Sequence, residues 1–246
     1  MISIDPRVDI INRRLSDVDR VIVVASGKGG VGKSLISTGL ALALGEKGYR
    51  VGLLDLDFYS PSTHVILGVS DLSPVEEKGL MPPVVKGLSY MSLFFFIGDK
   101  PAPFKGKDVT NAILELLGIT RWGSLDYLII DMPPGTGEEI LDVTRFISKS
   151  EFIVVSTPSK VAFNSVKKLL LLLKEMRVKV IGLLENMSMD GSSSLKKEVE
   201  SLGITYIDYI IFDMNIEEAI GKVDSLYSTR FMDNIRRFID IITNMI

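Results

Sequence analysis

The chain has 246 residues, is 46% hydrophobic, carries a formal net charge of -3 and contains no cysteine. That length supports one large domain or two small ones with a sizeable core, and the charge balance excludes a global basic field for nucleic acid or anionic membrane. The lack of cysteine excludes disulfides, thiolate metal sites and cysteine nucleophiles, and is compatible with a reducing, cytoplasmic setting.

The opening stretch MISIDPRVDIINRR is too charged for a signal peptide. No apolar run approaches the ~20 residues that span a bilayer. The richest, Leu169–Leu173, is soon followed by Lys174, Glu175 and Arg177 and reads as part of an amphipathic helix. In chain order, the sequence predicts a strand at Val21–Ala25, a helix at Lys33–Leu44 and a strand at Arg50–Asp55. A helix at Lys107–Leu117, a strand at Tyr127–Asp131 and a helix at Glu138–Ile147 follow. Strands at Glu151–Ser156 and Val178–Leu184 flank a long helix from Val161 to Met176. Leu195–Leu202 is helical, Thr205–Ile211 extended, and helices at Asn215–Gly221 and Thr229–Met245 close the chain.

Strands such as YLIID and FIVVS are apolar on both faces, as in a parallel sheet covered by helices on both sides. The alternation predicts an α/β fold: a doubly wound, mostly parallel sheet in a single domain over residues 1–246. Residues 71–106, rich in Pro and Gly, read as a surface excursion, and Asp190–Ser194 as an exposed loop.

Between the first strand and first helix, Gly27-Lys28-Gly29-Gly30-Val31-Gly32-Lys33-Ser34 fits the P-loop pattern G-x-x-x-x-G-K-[ST]. Glycines let the backbone curl until several N–H groups point at one anion. The helix N-terminus adds its partial positive charge. The cradle for ATP runs from Gly27 to Leu35, with Lys33 reaching the β- and γ-phosphates and the Ser34 hydroxyl placed for Mg²⁺. A second lysine, Lys28, suits neutralisation of phosphate on a neighbouring protomer. Asp55 and Asp57 sit at the C-terminal end of the next strand, where α/β ligand sites lie, and could position Mg²⁺ or the attacking water. In LDYLIIDMPPGTG, Asp131 closes an apolar strand as a Walker B acid, and Pro133, Pro134, Gly135 and Gly137 form a turn able to sense nucleotide state.

The stretches SGKGGVGKS, VGLLDLDFYSPSTHVILG, LDYLIIDMPPGTG, STPSKVA and GLLENMS, in this order, resemble the Mrp-type (ApbC-type) ATPases of the wider MinD/ParA group of deviant-Walker proteins. The resemblance implies an ATP-hydrolysing homodimer with nucleotide at the interface. It makes Lys28 the signature lysine that contacts the partner's ATP, Lys33 and Ser34 the Walker A pair, and Asp57 the acid that polarises water. Asp55 lies at the Mg²⁺ side, Asp131 is the Walker B acid, and Asn186 reads the adenine edge. The family also implies iron–sulfur cluster assembly and client proteins. Its cysteine pair after ENMS is missing here, where the chain reads MSMDGSSSLKKE, and clusters take mainly thiolate ligands.

An alternative is a MinD- or ParA-like positioning switch on membrane or DNA, and a third reading is a nucleotide-gated scaffold for cysteine-bearing relatives. Against the second, the amphipathic end FMDNIRRFIDIITNMI has few basic residues for a membrane-lying helix and predicts packing on the sheet. Lys167, Lys168, Lys174, Arg177 and Lys179 read as a solvated helix face and its exit, and His64 as structural.

Overall fold

A computed structural model describes residues 5–98, 106–189, 191–193 and 195–244. The strands are β1 (Val18–Ser26), β2 (Val51–Asp55), β3 (Val75–Glu76), β4 (Leu80–Met81), β5 (Val84–Val85), β6 (Leu88–Ser92), β7 (Leu125–Asp131), β8 (Ser150–Ser156), β9 (Lys179–Ser188) and β10 (Tyr206–Ile211). They make an eight-stranded sheet in the order β10-β9-β8-β1-β7-β2-β6-β5, parallel except where β5 meets β6, plus the small antiparallel pair β3-β4. The helices are α1 (Arg7–Arg14), α2 (Lys33–Glu46), α3 (Thr63–Leu67), α4 (Phe94–Ile97), α5 (Lys107–Ile119), α6 (Glu138–Phe146), α7 (Lys160–Glu175), α8 (Lys196–Ser201), α9 (Ile216–Ala219), α10 (Val223–Tyr227) and α11 (Arg230–Asn244).

The doubly wound, mostly parallel sheet follows from the strands' composition. Alternate residues of β1 face opposite cores: Val21, Val23 and Ala25 join one with α1, α5, α6 and α7, whereas Ile22 and Val24 join the other with α2 and α11. Both faces are dry along Val21–Ala25, so this run of β1 is apolar at every position. On α7 the buried residues Ala162, Val166, Leu169, Leu170 and Leu173 keep helical spacing, and Ser159 caps the first turn by accepting from the Ala162 N–H.

Several boundaries differ from expectation. The surface excursion contains a sheet strand: β6 pairs in parallel with β2, and Leu88, Tyr90, Met91 and Ser92 are buried. The prolines and glycines there punctuate short elements, and residues 99–105 lie outside the described set. Helices α1, α3 and α10 form where no element was expected, while the helix expected over Asn215–Gly221 shrinks to Ile216–Ala219. Strand β9 runs to Ser188, which puts Asn186 inside a strand. Of the Asp190–Ser194 loop, Asp190 and Ser194 lie outside the described residues, as does Met245 at the end of the last expected helix.

The α11 apolar face is spent on the core. Phe231, Met232, Ile235, Phe238, Ile239 and Ile242 are buried against α2 and the sheet. Arg236 pairs with Glu46 and Asp233, and Arg237 with Asp208. Phe238→Ala is expected to lower stability by about 3–5 kcal/mol in urea denaturation, the cost of a large buried cavity.

Candidate nucleotide site

The C-terminal ends of β1, β2 and β7 lie side by side, and their loops build the site. Strand β1 ends at Ser26, and after a six-residue loop Lys33 opens α2. Gly30 and Gly32 have φ of 77° and 81°, the left-handed region open to glycine at little cost. Gly32 is the N-cap of α2 and supplies no side-chain cap, so the first N–H groups of the helix face the cavity beside the loop. Gly27 serves a different need: a β-carbon there would lie 2.6 Å from backbone atoms of Ser165 and Val166, so it allows the loop to rest directly on α7. The cavity has a volume of about 560 Å³, and residues Lys28 to Leu35, Asp57, Ser60, Ser62, Val65 and Pro134 contribute to its walls.

At its floor stands Asp131, with its side chain fully buried. Oδ1 accepts from Lys33 Nζ at 2.8 Å and from Ser37 Oγ at 2.6 Å, and Oδ2 accepts from Ser34 Oγ at 2.6 Å. Asp55 is the register partner of Asp131 on the neighbouring strand. Its Oδ1 accepts from the Asp57 N–H, and its Oδ2 from the N–H groups of Ser62 and Thr63 and, at 2.7 Å, from Thr63 Oγ1. Burial pushes the Asp55 carboxyl up, and nearby Asp131 pushes the same way against the Thr63 bond and Lys33. Thr63 Oγ1 also lies 2.9 Å from Tyr90 Oη, so the contact chain runs from Asp55 to strand β6.

Asp57 reaches the cavity wall. Its Oδ1 accepts from the Tyr59 and Ser60 N–H groups, and burial raises its pKa against the pull of Lys33. The MPPGTG turn is fastened to the glycine loop where Gly135 N–H donates to the Ser26 carbonyl at 2.8 Å. Tyr59 Oη donates to Glu139 at 3.3 Å and so bridges the loops after β2 and β7. Lys28 is half-buried at the loop's crest, and its ammonium has no ion-pair partner among the described residues.

Asn186 lies at the C-terminal part of β9, next to the glycine loop. It is buried beneath the loop, its Nδ2 donates to the Val31 carbonyl at 2.8 Å, and it is absent from the cavity wall. The next residue, Met187, has φ of 62°, a conformation that costs a non-glycine residue roughly 1–3 kcal/mol. His64 stacks on Phe94 with ring centroids 3.8 Å apart. Ser37, Thr63 and Tyr90 were not singled out by sequence. Ser37 had a signal, since it follows Ser34 by three positions on one helix face.

The donor set suits a polyanion with a hard cation. Backbone N–H groups and Lys33 are phosphate ligands, while the Ser34 hydroxyl with Asp131 and Asp55 offers the oxygen chemistry that Mg²⁺ takes beside phosphate. A glycine-rich loop between parallel strand and helix, with lysine, serine and a strand-end carboxylate meeting beneath it, defines a P-loop NTPase.

Residues 17–235 match the family model ParA, described as NUBPL iron-transfer P-loop NTPase, and the chain belongs to that family. It is 35% identical over 226 residues to an iron–sulfur cluster carrier protein of Saccharolobus solfataricus, covering 85% of this chain and 76% of the relative. The protein of the same description from Methanocaldococcus jannaschii is 34% identical over 253 aligned positions, covering 94% and 87%. Among solved structures, a nucleotide-binding protein from Archaeoglobus fulgidus in complex with ADP superposes with a TM-score of 0.75 at 28% identity, over 94% of this chain and 92% of that one. The cell division ATPase MinD of Pyrococcus furiosus shares the fold, with a TM-score of 0.67 at 20% identity over 93% and 100%. Among the described residues no helix is long and apolar enough to cross a membrane.

Thr63→Val removes the hydroxyl that serves Asp55 and Tyr90. It is expected to cost about 1–3 kcal/mol in urea denaturation, and Thr63→Ser to restore most of the loss.

Proposed function

We propose that this protein binds ATP with Mg²⁺ in the loop cavity and hydrolyses it slowly as a homodimer in the cytoplasm, in the service of iron–sulfur cluster assembly, and that residues 1–246 act as one domain. The observation that carries the reading is the meeting of Lys33, Ser34 and Asp131 beneath a glycine loop that leads into the N-terminus of α2. The A. fulgidus protein, a structural neighbour, is described with ADP.

In this reading the loop from Gly27 to Leu35 holds the phosphates through backbone N–H groups. Lys33 leaves Asp131 to pair with the β- and γ-phosphates. Ser34, Asp131 and Asp55 are the residues that would hold Mg²⁺, which when bound neutralises charge developing between the β- and γ-phosphates. Asp57 accepts a hydrogen bond from the attacking water and orients it. Lys28 extends from the crest to the partner subunit's nucleotide. Asn186 braces the loop through Val31 and keeps Oδ1 as the atom that could accept from the adenine amino group.

The cluster is cargo, and the residues for the usual thiolate ligation are missing: there is no cysteine in the chain. After β9, Ser188 Oγ donates to the Ser192 carbonyl, while Glu185 accepts from Leu195 N–H and Tyr206 Oη, which fastens the loop without offering thiolates. No cluster-transfer step through this loop follows from these residues. The same lack of thiols, in a chain whose relatives are named cluster carriers, favours a second reading in which it assembles with a cysteine-bearing relative.

Two experiments test the proposal. Lys33→Ala should weaken nucleotide binding by about 10- to 100-fold, as loss of a charge-assisted phosphate contact does, whereas Lys28→Ala should keep binding and lose ATP-driven dimerisation and hydrolysis. Matching behaviour in calorimetry and sizing would remove the separate role of Lys28. Anaerobic iron–sulfur reconstitution of the pure protein should leave no visible-range chromophore after desalting. A stable chromophore with stoichiometric iron and sulfide would show that the chain holds a cluster by other ligands.

A further inference from the structure

We propose that Ser37 is a positioning residue that keeps the Asp131 carboxylate aimed once nucleotide and Mg²⁺ engage the site. This rests on the reading of the cavity as an ATP–Mg²⁺ site and adds a residue that the P-loop pattern does not contain.

The argument is a count of partners. The Asp131 side chain is fully buried, and its oxygens accept from three side chains: Lys33, Ser34 and Ser37. Phosphate would draw Lys33 away from Oδ1, whereas Ser34 could offer an oxygen lone pair to a divalent ion and still keep its proton on Oδ2. Ser37 is then the one side-chain donor left on Oδ1. Its hydroxyl is fully buried, so water cannot replace it.

Ser37 has one hydroxyl proton and two acceptors in reach, the Lys33 carbonyl at 3.1 Å and Asp131 Oδ1 at 2.6 Å. The shorter contact is to a carboxylate, and charge-assisted bonds of this kind are about twice as strong as neutral ones. The proton therefore goes to Asp131. With Oδ1 held, the carboxylate cannot rotate, and Oδ2 stays directed at the Ser34 oxygen where the cation would sit. Helix geometry makes this available: Ser37 lies three residues after Ser34 and four after Lys33, so all three project from one side of the first turns of α2.

The test measures affinity for a fluorescent ADP derivative with Mg²⁺ and with EDTA, and Mn²⁺ binding by electron paramagnetic resonance in the presence of ADP. Wild type, Ser37→Ala and Ser37→Thr are compared, with thermal unfolding recorded for each. In Ser37→Ala the affinity gain conferred by Mg²⁺ should fall about tenfold, the effect of one charge-assisted bond. Binding in EDTA should stay near wild type, half-saturation by Mn²⁺ should move to higher concentration, and Ser37→Thr should restore both. Equal loss with and without the cation, or no loss in either, overturns the role of Ser37. So does failure of Ser37→Thr to restore binding while its unfolding matches wild type. Failure of the wild-type protein to bind the ADP derivative at all overturns instead the nucleotide reading beneath it.

Discussion

A carboxylate with no access to water has to be met by donors, and Asp131 is such a group. Its position at the end of β7 is fixed on both sides, by β1 through Val24 and by β2 through Asp55. Lys33, Ser34 and Ser37 can reach it only if α2 starts at this height and angle. That start in turn requires the left-handed turn at Gly32 and the close seating of Gly27 on α7. One buried ion pair thus ties the strand order, the glycine loop and the helix register together. Such a pair is weak evidence of net stability, because desolvation consumes much of the attraction. Its value here is placement: the lysine that would serve phosphate and the acid that would serve a cation are held within 2.8 Å of each other.

The second acid, Asp55, is handled differently. It is bound by two backbone N–H groups and a hydroxyl from the segment at Ser62 and Thr63, so the loop after β2 is wrapped around it. Tyr90 continues the contact to β6 and meets Phe95 edge-on, with ring centroids 5.4 Å apart. A change in the charge that Asp55 faces acts directly on the start of α3 and on the wall of the cavity at Ser62 and Val65. Asp57 shares this loop through the N–H groups of Tyr59 and Ser60. The two acids are therefore mechanically linked, one inside the fold and one on the cavity wall.

Much of this was legible in the sequence where local pattern and tertiary role agree. Tyr127–Asp131 and Glu151–Ser156 announce interior parallel strands because both faces of each are apolar, and the glycine loop announces itself by composition and context. Strand β6 was hidden because it is five residues long, carries Ser89 and Ser92, and follows Pro82, Pro83 and Gly87. Punctuating residues around a short strand look like a loop until the neighbouring strand is known. Ser37 and Thr63 were hidden for another reason. Their significance comes from partners brought close by the fold, Asp131 at 94 positions along the chain and Tyr90 at 27, and no short-range pattern encodes that proximity. Asn186 was legible as a polar residue near the site, but its bond to the Val31 carbonyl, 155 positions away, and the left-handed backbone at Met187 beside it have no local signature.

The lack of thiols in a chain of this family becomes intelligible from the same contrast. The nucleotide-side groups are interior and interdependent: removing Lys33 leaves a buried charge, and adding a β-carbon at Gly27 drives the loop into α7. The segment after β9 is held by other contacts. Its anchoring runs through Glu185, Leu195 and Tyr206, and Ser192 is engaged through its backbone carbonyl. None of these bonds reaches Lys33, Ser34 or Asp131. The residues proposed for nucleotide handling therefore form one interlocked group, while the thiolates that clusters mainly take are missing from the chain.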